Sequence, residues 1–250
     1  MLTTLLRKKA EKERIRRQHK NAPLSLIRSF TVRPVKSTYE RFIRDNAGNV
    51  KSFILVRHPF NRLVSAFRDK IERSHEKVIA KDWYYKVYGK PIVSRYRRAA
   101  LARFGADFFS AENNFGAVVP VKGGVRTADL PTFWEFVQYV KACRISRMDE
   151  HWKPVYEFCS PCHVNYESVI HFENLSDEAE HLKSVLEPGR PLASRWENPN
   201  YSGMTQDDLT IKYFQTLSKS DIEELYKIYE LDMKMFGYRF HMGNITLPRF

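Results

Sequence analysis

Lys51 to Ser74 reads Lys-Ser-Phe-Ile-Leu-Val-Arg-His-Pro-Phe-Asn-Arg-Leu-Val-Ser-Ala-Phe-Arg-Asp-Lys-Ile-Glu-Arg-Ser, and the reading of the fold turns on it. Phe53 to Val56 is a short apolar run bounded by polar residues, which predicts a buried strand. Pro59 suits the first position of a helix, where a missing N–H costs nothing. Phe60, Leu63, Val64, Phe67 and Ile71 then recur at helical spacing along one face, with Arg62, Ser65, Arg68 and Asp69 on the other. A strand that turns directly into a helix favours an anion at the turn. Free N–H groups and the positive end of the dipole lie at the helix start, and Arg57 adds a planar, multi-donor side chain at the end of the strand. Ser65 offers a hydroxyl farther along. An ordinary β-α unit with a solvated basic face fits the same residues.

Outward from this stretch, 250 residues with 43% hydrophobic and 14% aromatic content are enough for one globular domain with a sizeable core. The formal charge is +13, and residues 1–20 carry eight Lys or Arg against two Glu. The balance points to acidic partners. Nucleic acid is one class, but no zinc-finger spacing or RNA-recognition signature accompanies the charge, so nucleic acid is not expected. A sulfated or uronic-acid polysaccharide is the other. No window approaches eighteen consecutive apolar residues, and no leader with a cleavage site is present, so no anchor or targeting segment is expected in this chain. Sequons at Asn174, Asn200 and Asn244 are compatible with a luminal life. Cys143, Cys159 and Cys162 are odd in number; Cys159-x-x-Cys162 reads as a disulfide, a pair of buried thiols, or half a zinc site completed by His151 and His163.

Along the chain, residues 1–23 read as a basic mobile tail, 24–240 as the domain and 241–250 as a C-terminal tail. Tyr39 to Asn46 predicts a short helix, Val93 to Phe104 a helix ringed by Arg95, Arg97, Arg98 and Arg103, and residues 105–130 a loop. Those arginines form either a groove for an acidic glycan or a solvated face. Thr132 to Glu135 is a capping box opening a helix that runs to about Ala142. Val164 to Phe172 contains a second strand, a helix opens near Ser176, and 187–210 is a loop. Ser220 with Glu223 makes another capping box, and Ile222, Leu225, Tyr229 and Phe236 trace the last helix, stopped at Gly237. Asp149, Glu150 and His151 place two carboxylates beside an imidazole, an arrangement that raises the basicity of a His or fixes its tautomer for proton abstraction. His151 is the candidate base and Glu150 its alternative, against a purely structural His packed on Trp152.

Arg57-x-Pro59-x-x-Arg62-x-x-Ser65-Ala66-Phe67-Arg68-x-Lys70 resembles the 3′-phosphate-binding motif of the Golgi carbohydrate sulfotransferases. The likeness extends to Tyr88-Gly89-x-Pro91-Ile92-Val93-x-x-Tyr96-Arg97, Phe133-x-x-Phe136-Val137-x-Tyr139, Asp149-Glu150-His151-Trp152-x-Pro154-Val155, Cys159-Ser160-Pro161-Cys162, Tyr213-Phe214 and Phe236-Gly237-Tyr238. It implies an α/β fold, a P-loop-like parallel sheet flanked by helices, and transfer of a sulfuryl group from 3′-phosphoadenosine 5′-phosphosulfate to a glycan or glycosaminoglycan hydroxyl without a metal. It also implies that Arg57 and Ser65 bind the donor's 3′-phosphate, and that the family's setting is the Golgi lumen and membrane. The family's Pro-Lys-x-x-(Cys/Ser)-Thr-Asn-Trp loop for the 5′-phosphosulfate is not found. Pro34-Val35-Lys36-Ser37-Thr38 has its residue types in another order. The domain is therefore expected to be N-terminally incomplete, with an inactive member that binds nucleotide or acidic glycan as the alternative to an enzyme.

Overall fold

The computed structural model describes residues 52–72, 82–105, 130–162, 164, 166–175, 177–178, 205–242 and 245–246. The expected tail, the helix at 39–46, the Pro34–Thr38 segment, most of the 105–130 loop and the sequons at Asn200 and Asn244 lie outside them.

Strand β1, Phe53–Val56, pairs in parallel with β2, Ser168–His171, in the register Phe53↔Ser168 through Val56↔His171. Parallel pairing requires a long crossover, and here it joins the two apolar runs the sequence marked as strands. The strand is half-covered rather than buried. Ile54 and Val56 point into the core, whereas Phe53 and Leu55 are 44% and 49% exposed. A run of four apolar residues satisfies either arrangement, because burial of the second face depends on what packs there.

Helix α1, Pro59–Ala66, follows β1 with Pro59 in its first turn and widens into a π-helical turn over Phe67–Glu72. His58 caps it: its Nδ1 accepts the Phe60 N–H at 3.2 Å. A helical turn at Asp82–Tyr84 passes through a second π turn, Tyr85–Gly89, into α2, Lys90–Phe104. Helix α3, Phe133–Ala142, opens on the expected Thr132–Glu135 capping box. The remaining helices are α4, Val155–Cys159; α5, Gln206–Phe214; and α6, Lys219–Met235. The start of α5 falls within the expected 187–210 loop. His241–Met242 and Ile245–Thr246 pair as a short antiparallel hairpin.

The apolar face of α1 makes the centre of the core. Phe60 packs on Phe214 at 4.7 Å between ring centroids, and Phe67 lies 5.3 Å from both Phe133 and Phe136. Phe60, Phe67, Leu63, Val64 and Ile71 are essentially inaccessible, so α1 is held by α3, α5 and α6 together. Polar clasps fix these helices. Arg97 of α2 donates to both Glu135 oxygens, at 2.7 and 3.1 Å, and to the Leu130 carbonyl at 2.6 Å. Asp232 of α6 accepts the free N–H groups of Val155 and Tyr156 at 2.6 and 2.8 Å, capping α4, whose own N-cap, Pro154, has no side chain able to do so.

The capping box of α6 is Ser218 with Asp221, two residues before the expected Ser220 and Glu223. Asp221 also receives Lys141 of α3 at 2.7 Å and Gln138 at 2.8 Å. Burial opposes its ionisation, but these bonds prevail and hold its carboxyl well below the usual range. Gly237, at φ 69°, ends the helix region where the sequence places the stop.

Candidate active site

The first cluster gathers at the carboxyl ends of the two parallel strands, the edge at which open α/β sheets bind their ligands. Arg57, which follows β1, lies with its guanidinium carbon 4.7 Å from the centre of the Phe172 ring beyond β2. Burial lowers its pKa and neighbouring Glu173 acts the other way, and a guanidinium remains a cation under either influence. Among the described residues Arg57 makes no ion pair, although the Glu173 and Asp207 carboxylates act on its charge from farther away. Glu173 is engaged elsewhere: it accepts the His58 backbone N–H at 2.8 Å and the Tyr238 hydroxyl at 2.9 Å.

His58 is an unusual cap, since Ser, Thr, Asp and Asn are the residues that usually fill this position. Its Nδ1 accepts from Phe60, so the proton of the neutral ring sits on Nε2, which donates to the Arg239 carbonyl at 3.1 Å. Burial pushes its pKa down, consistent with that neutral form. The cap changes one expectation. Pro59 has no N–H and His58 takes that of Phe60, which leaves fewer free donors at the helix start than the bare β-α turn suggests.

Ser65 is half-buried in the last turn of α1, and no described side chain or carbonyl bonds its hydroxyl. It shares a face with Arg62, three residues before it, and Asp69, four after. That face is turned towards the 149–153 loop, because Arg62 donates to the Lys153 carbonyl and Lys70 lies 5.4 Å from the centre of the Tyr84 ring beside His151. Ser65 thus lies along the helix between the Arg57 end and the second cluster.

The second cluster is built on Asp149 and His151. His151 Nδ1 lies 2.6 Å from Asp149 Oδ1, and the Asp149 carboxylate also accepts the His151 backbone N–H at 3.0 Å and the Tyr88 hydroxyl at 3.3 Å. So short a nitrogen–carboxylate contact is attractive only with a proton between the atoms. It therefore assigns the ring proton to Nδ1 and leaves Nε2 as the basic nitrogen. Burial raises the Asp149 pKa, but its bonds with His151 outweigh that and keep it below the ordinary value, so it is the ionised partner. The His151 side chain is 31% exposed, enough to be reached from solvent. The His151 ring contacts Asp149 and Tyr84, while Trp152 is fully buried and packs on Tyr88 and Phe136. Glu150 is exposed and stands outside this pair.

Tyr84 and Tyr88 could not be read from the sequence as site residues, because they meet Asp149 and His151 across more than sixty positions. The helical turn and the π turn after it stack their rings 5.8 Å apart, and Trp83, 51% exposed, lies 4.9 Å from Tyr84. Burial and the nearby Asp149 push the Tyr88 hydroxyl up to about 12, so it serves as a hydrogen-bond donor. Asn174 is exposed at the end of a 3₁₀ turn, Phe172–Asn174. Cys143, Cys159 and Cys162 form no disulfide among the described residues, so the Cys159–Cys162 pair is not bridged.

These features belong to an α/β domain in which helices flank a small parallel strand pair. Residues 2–239 match the profile described as "Sulfotransferase family", and the chain belongs to that family. It is 27% identical to carbohydrate sulfotransferase 11 of Mus musculus over 225 residues, covering 88% of this chain and 53% of that protein. It is 34% identical to carbohydrate sulfotransferase 8 of Mus musculus over 188 residues, covering 74% and 39%, and 27% identical to carbohydrate sulfotransferase 10 of Gallus gallus over 227, covering 91% and 55%. The chain spans about half the length or less of these curated relatives. No solved structure matches it.

Proposed function

We propose that this chain transfers a sulfuryl group from 3′-phosphoadenosine 5′-phosphosulfate to a sugar hydroxyl of a glycan, in a P-loop-like fold of which the β1–β2 pair is part. The observation that carries the reading is the Asp149–His151 pair, with a 2.6 Å contact and a reachable imidazole, tied by way of Arg62 and Lys153 to the helix that follows Arg57. The relatives' names, all carbohydrate sulfotransferases, support the acceptor class.

In this reading Arg57 and Ser65 hold the 3′-phosphate. The fit rests on a guanidinium at the carboxyl edge of a parallel sheet that makes no ion pair among the described residues, and on a hydroxyl that has no partner among them. His151 Nε2 takes the proton of the attacking hydroxyl, while Asp149 holds the ring in that tautomer and stabilises the imidazolium that forms. Exposed Trp83 offers an apolar ring beside the base against which a sugar can rest. Displacement at sulfur needs no metal in this scheme, so positioning and charge carry the rate. The Golgi lumen is the proposed setting, with Asn174, Asn200 and Asn244 as proposed glycosylation sites. No helix among the described residues is long and apolar enough to cross a membrane.

The test is to incubate the full chain with donor carrying radioactive sulfur and a chondroitin-type polysaccharide. Label is expected to move to the polysaccharide. Binding of 3′,5′-ADP without any transfer would identify a binding protein instead.

A further inference from the structure

Away from both clusters, a cleft of about 370 Å³ is lined by Arg95, Tyr96, Tyr139, Cys143, Arg144 and Arg147. That volume is within the usual range for small-ligand sites, roughly 300–1,000 Å³. Three cationic side chains border it and no carboxylate does. Arg95 stacks over the Tyr96 ring at 5.5 Å, and among the described residues none of the three arginines has an ion pair. Two other arginines of α2 differ in this respect. Arg97 is consumed by Glu135, and Arg103 lies over Phe104 and Trp134 with Asp221 3.9 Å away.

The Tyr96 ring contributes to the wall, while its hydroxyl is closed off from the cleft and has no hydrogen-bond partner among the described residues. The cleft is also connected to the proposed base. Tyr139 on its wall packs 6.1 Å from Tyr88, and the Tyr88 hydroxyl bonds Asp149 Oδ2 at 3.3 Å. The 3₁₀ turn Ile145–Arg147 runs on directly to Asp149 and His151.

We propose that this cleft is an acceptor subsite that seats the carboxylate or sulfate of an acidic sugar residue, and that it selects anionic over neutral polysaccharides. Guanidinium groups suit both anions, because their fixed fork matches two oxygens at once. The anion binds Arg144 and Arg147, with Arg95 on the same wall. The same polymer chain presents its reacting hydroxyl at His151. This inference rests on the sulfotransferase reading for the identity of the ligand, but the cleft can be tested apart from it.

The experiment measures binding of fluorescently labelled chondroitin oligosaccharide, its carboxyl-reduced neutral form and its sulfated form to the full chain by anisotropy. 3′,5′-ADP is titrated separately. Arg144→Ala with Arg147→Ala is expected to weaken binding of the acidic oligosaccharides about tenfold, the size expected for losing charge-assisted contacts, and to leave the neutral form unaffected. Lys8→Ala with Lys9→Ala removes equal charge from the basic N-terminal stretch and should leave binding within about twofold of wild type, because the proposal assigns the anion to the cleft arginines rather than to net charge.

Wild-type affinity in the arginine double variant, an equal loss in the lysine variant, or no binding of either acidic form by the wild type overturns the proposal. Preference for one acidic form identifies whether carboxylate or sulfate is read. If 3′,5′-ADP fails to bind while the arginines still govern oligosaccharide affinity, the cleft assignment stands and the donor-site reading falls.

Discussion

Replacing His151 with alanine is expected to lower kcat for sulfuryl transfer by about 10²–10⁴-fold, the range a positioned general base contributes. Affinity for 3′,5′-ADP should not change, because the proposed 3′-phosphate ligands are Arg57 and Ser65. The variant should also fold normally. The ring is partly exposed, and after its loss Asp149 keeps the Tyr88 hydroxyl and the backbone N–H at 151 as partners. Asp149→Asn tests the positioning role separately. An amide can accept from Nδ1–H or donate to a bare Nδ1, so the tautomer is no longer fixed, and kcat should fall about 10–100-fold as for other partners that orient a functional His. Single-turnover rates with saturating donor distinguish these effects from binding. Full activity in His151→Ala would move the base elsewhere, with Glu150 the next residue to replace.

The largest expected effect on stability comes from Arg97→Ala. Glu135 is wholly buried and belongs both to the α3 capping box and to the two-pronged pair with Arg97. Without the guanidinium, a buried carboxylate is left with only Thr132 to satisfy it, and breaking such a pair costs about 3–5 kcal/mol. At about 2–4 °C per kcal/mol for a domain of this size, the melting temperature should fall by roughly 6–20 °C. Arg97→Met combined with Glu135→Met should recover much of the loss, because apolar side chains of similar length leave no stranded charge, although the second half of the capping box is then missing. Thermal melts of the two single variants and the pair measure the coupling. A shift under about 2 °C for Arg97→Ala would mean that water reaches Glu135 freely.

What the sequence made legible, and what it hid, follows from the range of the forces involved. Local signals were read well. Thr132 and Glu135 lie three apart before an apolar run, and they form the box that this spacing implies. Pro59 opens α1 and Gly237 closes the end of α6, both for backbone reasons that act within a residue or two. The α6 box was displaced because Ser218–Asp221 and Ser220–Glu223 have identical spacing. Hydrophobic stapling separates them: capping at Ser218 puts Leu217 before the cap and Ile222 at the fourth helical position, and both are buried, whereas Ser220 would put Lys219 and Glu224 there.

Other features depend on distant partners. His151 stood out because its acidic neighbours adjoin it in sequence, yet only the fold shows that Asp149, not Glu150, is the one that binds the ring, and that Tyr84 and Tyr88 complete the surroundings. The arginines of α2 are alike on paper. Packing against α3 turns Arg97 into an internal strut and leaves Arg95 at the cleft. The half-covered β1 was hidden for the same reason, since Phe53 and Leu55 are as apolar as their buried neighbours.

The donor site is tested most directly by comparing the affinities of 3′,5′-ADP and 5′-AMP, which differ only in the 3′-phosphate, for wild type, Arg57→Ala and Ser65→Ala. The wild type should prefer 3′,5′-ADP by about tenfold or more, as charge-assisted bonds to one phosphate imply. Arg57→Ala should nearly abolish that preference and Ser65→Ala should reduce it, with 5′-AMP affinity little changed. A wild type that binds the two nucleotides equally, or a preference that survives in both variants, would contradict the assignment of Arg57 and Ser65 to the 3′-phosphate.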